Sequence, residues 1–466
     1  MIKKKDILIL LAFVFLHLFI LCGLRFTAWP EMFSYPYLRN NGFLIYKDMI
    51  HPYPPLLTMA LSVVYKVFGY SLVTLRSFTY VLVVLNDILI FLISKKILKK
   101  GLISFTPLFF YVLTQPFLDG NMLWFDFAMT TPILFSLFFL FEVLENKNVK
   151  RDLFLSGLFL SVAVYIKQTS VIFFLISIIF LLSRKIKVKE ILYMFIAPLI
   201  ISLSFLIRLI QENALMDFLN WNLFYPSKYW TKFPGYVRMN VTRSDLLTLL
   251  ILAIPILAIF FKKTKSFKNN RLILCFVFLI CSFITVYPRF SFFHLQPALA
   301  IFPIFMTFLV EDNIKIFFTC FILFLAIFLY RNIYPKIISD WGKEARFSGF
   351  EEKMLTQVIQ ENSNEGDKVF FIGLNSNLYV SSQRIPPKRW FDNYGWYLEI
   401  GGVEEEILSR WNQNPPKVIF WKLPLQGEWY ELGVYQPDEI TRYIFDNYNR
   451  VSEPYPGVYL WNLKDR

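Results

Sequence analysis

For its first two thirds the chain alternates long apolar runs with short polar breaks; after that its character changes. Eleven apolar runs lie at about 6–25, 73–94, 102–118, 123–144, 153–167, 169–183, 190–210, 246–261, 272–288, 297–311 and 315–333. Most are near the roughly 17–25 residues an α-helix needs to cross a bilayer. The fifth and sixth are short and tightly joined. The segment Leu56–Tyr70 is apolar but short, and counting it as a span would invert the charge pattern of everything after it, so it predicts an interfacial helix. From about residue 340, acidic clusters appear at Glu351-Glu352, Glu404-Glu405-Glu406 and Asp438-Glu439, among Pro and Gly turns. The runs starting at Val369 and Val418 predict buried parallel strands, and 351–363 and 403–412 have helical periodicity. The pattern predicts an α-helical polytopic membrane protein with about eleven transmembrane helices in residues 1–335. A small α/β domain follows in residues 336–466. There is no internal repeat and no low-complexity tract.

Composition agrees. Of 466 residues, 56% are hydrophobic, 53 are Phe, and the mean hydropathy is +0.49, more apolar surface than a soluble protein of this size can hide. The net charge of +14 would suggest nucleic acid in a soluble chain. Here the basic residues sit in small groups after every second span: Lys3 to Lys5, Lys95 to Lys100, Lys147 to Arg151, Arg184 to Lys189 and Lys262 to Arg271. That is the signature of cytoplasmic loops, and it argues against nucleic-acid binding. It places the N-terminus in the cytoplasm and puts 26–72, 119–122, 212–245, 289–296 and the tail outside. The first apolar run follows a Lys triplet as in a signal peptide. It lacks a small-residue cleavage site, so it is expected to be retained. Cys22, Cys275, Cys281 and Cys320 all fall in apolar runs and read as small buried hydrophobes.

Chemistry concentrates on the outer side. The first outer loop, 26–72, carries Tyr46-Lys47-Asp48-Met49-Ile50-His51-Pro52 and then Pro54-Pro55. Asp48 has two readings: a cap for the helix starting near Pro54, or a general base on a bound hydroxyl. Asp119 and Asp126 are seven residues apart, a spacing that on a helix puts both on one face. Turn chemistry accounts for Asp119-Gly120, but a carboxylate in an apolar run, as at Asp126, is costly and points to function. Lys167 lies between two spans on the outer side. Arg289 follows Tyr287-Pro288, with His294 and Pro297 next. Such residues either snorkel to interfacial water or hold phosphate oxygens. Asn86 and Asp87 predict hydrogen bonds between helices. Arg76 reads as interfacial, and Arg208 is ambiguous. Asn240-Val241-Thr242 is a sequon of a kind common by chance. There is no P-loop, GxGxxG, HExxH or Cys/His metal spacing, which argues against ATP hydrolysis and a dinucleotide cofactor.

The order and shared sidedness of these residues resemble the C-type (GT-C) integral-membrane glycosyltransferases. Within them the chain is similar to the protein O-mannosyltransferase and lipid A aminoarabinose-transferase branch. Asp48 falls where that group keeps a first-loop catalytic aspartate. Pro54-Pro55-Leu56, Lys66-Val67-Phe68-Gly69 and Leu75-Arg76 resemble its juxtamembrane helix, and Asp126 its second-loop acid. Ala163 to Thr169 resembles a Lys-bearing junction, and Tyr287 to Pro297 a late span. Gly373, Tyr379, Arg384, Pro386 to Trp390 and Asn414 to Ile419 resemble a periplasmic domain of prokaryotic members. Asp48-Met49 departs from the Asp-Glu of protein mannosyltransferases, which counts against a protein acceptor.

The resemblance implies a polyprenyl- or dolichyl-phosphate sugar donor and a glycan, lipid or protein acceptor, with inversion at the anomeric carbon. Asp48 and Asp126 would be catalytic. Lys167, Arg289, His294 and His51 would serve the donor phosphate, and Asp119, Tyr46 and Tyr287 the substrates. No cofactor is implied with certainty, and a divalent metal is left open. The expected setting is the plasma membrane. The competing classes are a transporter or lipid-linked sugar flippase, a non-catalytic scaffold, and a polymerase or ligase using a diphosphate-linked donor. Transporters usually carry inverted repeats and broken mid-membrane helices, which are not seen here.

Overall fold

A computed structural model describes residues 3–98, 101–261, 269–312, 314–422 and 437–464. Lys99, Lys100 and residues 262–268 of the last basic group lie outside the described residues, as does the side chain of Cys320. Every apolar run forms helix. In chain order the main helices are α1 (Lys4–Gly23), α2 (Glu31–Asn40), α3 (Leu56–Phe68) and α4 (Leu72–Ile97). Then come α5 (Leu102–Phe117), α6 (Phe125–Glu145), α7 (Val149–Ile166), α8 (Gln168–Ser183), α9 (Val188–Gln211) and α10 (Arg243–Phe261). α11 (Asn270–Ile284), α12 (Gln296–Phe308) and α13 (Phe321–Asp340) complete the apolar part. By length and composition, α1, α4, α6, α9 and α13 can each cross a membrane. Others are shorter, including the α8 expected to be a weak span.

The chain folds as two compact units. The first is Met1–Thr27, Leu75–Leu203 and Met239–Glu344. Its outer faces are apolar: Leu8, Leu11, Phe15 and Phe19 on α1 are exposed, as are Leu175, Ile179 and Leu182 on α8. Such faces suit lipid, where helices keep their backbone hydrogen bonds internal. Inside, close packing is set by small residues. A Cβ at Gly157 would run into the Met194 carbonyl, so α7 and α9 approach there as only glycine allows. The Ser136 and Ser156 hydroxyls meet at 2.8 Å beside the stacked rings of Phe135 and Phe159. The bonds expected of α4 are present. Asn86 Nδ2 donates to the Tyr111 hydroxyl and Asn86 Oδ1 accepts from Thr131, while His17 meets both Asp87 carboxylate oxygens at 3.0 Å.

The second unit is Ala28–Thr74, Ser204–Arg238 and Ala345–Arg466. It draws residues 28–74 and the segment around 215–235 into one core with the tail. That core holds Tyr35, Tyr46 and Ile50 from the loop, Trp221 and Trp230 from the middle segment, and Phe370, Trp390, Trp411 and Trp421 from the tail. Strand β1 (Val369–Ile372) pairs in parallel with β2 (Val418–Trp421), Val369 opposite Val418, and every residue of both is buried. The hairpin of β3 (Tyr448–Tyr455) and β4 (Val458–Leu463) joins antiparallel at the β2 edge, giving the order β1-β2-β4-β3. Gly457, at φ +74°, makes its turn. Helices α14 (Phe350–Glu361), α15 (Val403–Gln413) and α16 (Asp438–Asn447) complete the unit. α14 starts where Glu352 reaches back to accept the Gly349 N–H at 2.9 Å.

Candidate active site

In the second unit, Asp48 sits on a loop sewn to the tail by backbone hydrogen bonds. The Trp390 N–H donates to the Asp48 carbonyl and the Ile50 N–H to the Trp390 carbonyl, both at 2.9 Å. The Asp48 side chain does not cap α3. It accepts the Leu44 N–H at 3.0 Å, and the Lys388 ammonium donates to Oδ2 at 2.8 Å. Arg410 stands 3.8 Å from Oδ1. The carboxylate is buried, yet Lys388 is half exposed and lies over the Phe43 ring. Arg389 braces the same loop from beneath. It donates to the Tyr46 carbonyl at 2.8 Å, pairs with Asp217 at 3.0 Å and Glu406 at 2.7 Å, and stacks over Trp221. Sequence reasoning gives Lys388, Arg389 and Arg410 no role of their own. For the first two the signal is the Pro386-Pro387-Lys388-Arg389-Trp390 run, a pair of cations fixed between prolines and a buried Trp.

His51 and Tyr46 turn inward. The Tyr46 hydroxyl donates to the Tyr53 carbonyl at 2.9 Å. His51 is fully buried, with Nδ1 2.7 Å from the same carbonyl and Nε2 2.9 Å from the Thr58 hydroxyl. A carbonyl can only accept, so Nδ1 carries the proton. Burial pushes the imidazole down to about 4, leaving it neutral at pH 7. A neutral ring with both nitrogens engaged braces the loop. His51, expected at the donor phosphate, and Tyr46, expected at a substrate, here both bond within their own loop and α3.

The first unit holds a separate constellation. Asp126, in the first turn of α6, is fully buried. The Lys167 ammonium lies 2.7 and 2.8 Å from its two oxygens, and His294 Nδ1 is 2.8 Å from Oδ2. Lys167 stands at the C-cap of α7, where the chain leaves the helix in extended conformation. His294 lies in the turn leading to α12. Burial, the largest influence, holds its imidazole below the usual histidine range; Asp126 pulls it upward, and Lys167 and Arg289 push it down. Arg289 is partly buried in the same turn, and Tyr287 is exposed. Both oxygens of Asp126, expected to be catalytic, are occupied by Lys167 and His294, and the residue has no exposed surface.

Asp119 does not share a helix face with Asp126. Its φ of +53° begins a turn, α6 starts only at Phe125, and Asp119 pairs with Lys336 at 3.3 Å. Asn121 fixes the turn by donating to the Leu21 and Leu24 carbonyls, both at 2.9 Å. Arg208 pairs with Glu212 one helical turn on, at 2.8 Å, and Arg76 packs over the Phe26 ring. Among the described residues, no three or more His, Cys, Asp or Glu side chains gather as metal ligands.

Residues 51–210, about a third of the chain, match the family model described as dolichyl-phosphate-mannose-protein mannosyltransferase. That stretch holds Asp126 and Lys167 but not Asp48. No curated protein matches the sequence. Among solved structures, ArnT from Cupriavidus metallidurans bound to undecaprenyl phosphate is similar at TM-score 0.60 and 9% identity, covering 98% of both chains. The oligosaccharyltransferase of Archaeoglobus fulgidus, in complex with Zn and sulfate, is similar at TM-score 0.54 and 12% identity, covering 89% of this chain and 67% of that one. The archaeal oligosaccharyltransferase AglB from Archaeoglobus fulgidus, with an inhibitory peptide and a dolichol-phosphate, gives 0.54 and 10%, covering 90% and 70%. At these identities the likeness speaks for the fold. The chain has the GT-C glycosyltransferase fold, a multispan helical protein with a small C-terminal sheet.

Proposed function

We propose that this integral membrane protein is a glycosyltransferase. It would move a sugar from a polyprenyl- or dolichyl-phosphate donor to an acceptor hydroxyl on the outer face of the membrane. Asp48 takes the proton of the acceptor hydroxyl. The acceptor oxygen bonds to the anomeric carbon from the face opposite the departing phosphate, the carbon–phosphate-oxygen bond breaks, and configuration inverts. The observation that carries this reading is the Asp48 carboxylate. It is buried, loop-borne and oriented by a backbone N–H, yet its nearest cation sits on a half-exposed arm that can withdraw. In the first unit, Lys167, held by Asp126, and Arg289 are preplaced positive charge of the kind that binds a lipid phosphate. Neighbours that bind undecaprenyl phosphate and dolichol-phosphate support the donor class. The basic loops support an outward-facing site in the plasma membrane, with the N-terminus inside and the tail outside.

The test is transfer from radiolabelled polyprenyl-phosphate sugars by purified protein in lipid, beside Asp48→Asn. Transfer by the native chain and loss in the variant is expected. Undiminished turnover in a well-folded Asp48→Asn would remove Asp48 from the mechanism. No transfer by either would move the donor to a diphosphate-linked class.

A further inference from the structure

A cleft of about 730 Å³ opens in the second unit, between the C-terminal half of α2, the turn that follows α3, and the segment after α14. Its walls are of two kinds. Tyr37 and Tyr70 supply aromatic surface. Tyr70 is fixed by stacking on Tyr65 (4.5 Å), by the edge contact of Tyr37 (5.5 Å) and by Asn40, whose Nδ2 donates to the Tyr70 hydroxyl at 2.7 Å. Around these rings stand planar polar groups: the Asn41 and Gln383 amides, both exposed, and the Glu365 and Asp367 carboxylates. Gln383 is held at φ +57° at the end of a short helix, which sets the direction of its side chain.

This mixture selects a ligand. Among the described residues lining the cleft there is no Lys or Arg; Asp367 is paired with Lys417 at 3.0 Å, and Glu365 adds a negative charge, so a phosphate or other anion is disfavoured. A purely apolar ligand would strand the amides and carboxylates. A neutral saccharide satisfies both walls. The C–H face of a pyranose packs on an aromatic ring, and adjacent hydroxyls pair with the two-sided donor and acceptor sets of amides and carboxylates.

The cleft adjoins the Asp48 anchor along one strip of backbone. Asn41 lines it; the next residue, Gly42, accepts the Lys388 ammonium through its carbonyl at 3.2 Å; and Lys388 holds Asp48. We infer that the cleft is a binding subsite for a neutral glycan, through which the acceptor saccharide docks on the C-terminal unit. The acceptor role rests on the proposed transferase reading; the binding does not.

The experiment therefore reads binding without donor or turnover. Full-length protein in nanodiscs is titrated with mannotriose, maltotriose and N-acetylchitotriose by saturation-transfer NMR and calorimetry. At least one trisaccharide is expected to bind. Tyr37→Ala should weaken it at least tenfold and Tyr37→Phe should keep it. Gln383→Ala, at an exposed position, and Asn41→Ala, which gives up the amide bond to the Tyr37 carbonyl at 2.9 Å, should each weaken it several-fold. Asp48→Asn should bind as the native chain does, so a failed transferase reading leaves this result standing. The inference is overturned if no trisaccharide binds at about 10 mM, an affinity weaker than any useful subsite. It is equally overturned if binding is indifferent to Gln383→Ala and Asn41→Ala, or if a Ser/Thr-rich peptide binds there in place of the sugars.

Discussion

Asp126 and Asp48 both meet cationic partners but hold them in different ways, and the difference is instructive. Asp126 is sealed inside the helical unit, with both oxygens committed to Lys167 and His294 on packed segments. Asp48 lies on a loop, accepts one backbone N–H, and meets a lysine whose side chain is 45% exposed. A sealed carboxylate works by fixing its neighbours, because moving it would leave a buried charge uncompensated. A carboxylate with a removable partner can exchange that partner for a reacting hydroxyl. The first arrangement suits a rigid source of positive charge, the second a base.

Asp48→Asn should show the largest effect on activity. The amide oxygen can still accept the Leu44 N–H, so the fold should hold, while turnover falls by about 10²–10⁴-fold, the usual worth of a general base. Asp126→Ala should reverse the profile. It leaves Lys167 buried without its counter-charge, at a cost of about 3–5 kcal/mol. The melting temperature in detergent should drop sharply before any rate is measured. If Asp126→Ala instead folds normally and loses only turnover, the distinction between the two carboxylates fails.

How much of this is legible in the sequence depends on whether a feature is local. The apolar runs declare their helices, because lipid-facing helices advertise themselves residue by residue. β1 and β2 are readable as continuous apolar runs. The β3–β4 hairpin is not, since its strands mix polar and aromatic residues around a Pro456-Gly457 turn and β3 is largely exposed. Asp126 can be flagged from its apolar setting, but its partners lie 41 and 168 residues away and only packing brings them together. The Asp119–Asp126 spacing misleads because the period of a helix is applied across a turn. Lys388 and Arg410 escape because a cation in a soluble-looking tail has no local mark of the carboxylate it meets.

A third acid tests whether burial alone makes a carboxylate behave like Asp126. Glu31 on α2 is buried beside Asp392, with the Tyr394 hydroxyl donating to it, and no cation among the described residues pairs with it. Burial, then the neighbouring Asp392, pushes it up to about 8; Asp392 is raised as well, chiefly by burial. Below about pH 4.5 folded and unfolded chains both carry the proton. Between there and pH 8 the unfolded chain releases it while the folded chain keeps it, so stability falls as pH rises through that window. Glu31→Gln should remove the penalty, raising stability by about 2–4 kcal/mol at about pH 8 and hardly at all at about pH 4. The melting temperature against pH reads this directly. Equal gains at both pH values would mean the carboxyl is already ionised in the folded chain.

The smallest effect separates an anchor from a requirement. Lys388 is half exposed, and such pairs contribute about 0.2–1 kcal/mol. Lys388→Ala should therefore leave the melting temperature nearly unchanged. Asp48 keeps the Leu44 N–H and the more distant Arg410, so the carboxylate stays in place with greater freedom. Turnover should fall only several-fold, and Lys388→Arg should restore part of it. If Lys388→Ala instead matched Asp48→Asn in depth, the lysine would belong to the reaction itself. If it destabilised the fold as Asp126→Ala does, the contrast between a sealed and a releasable carboxylate would lose its second half.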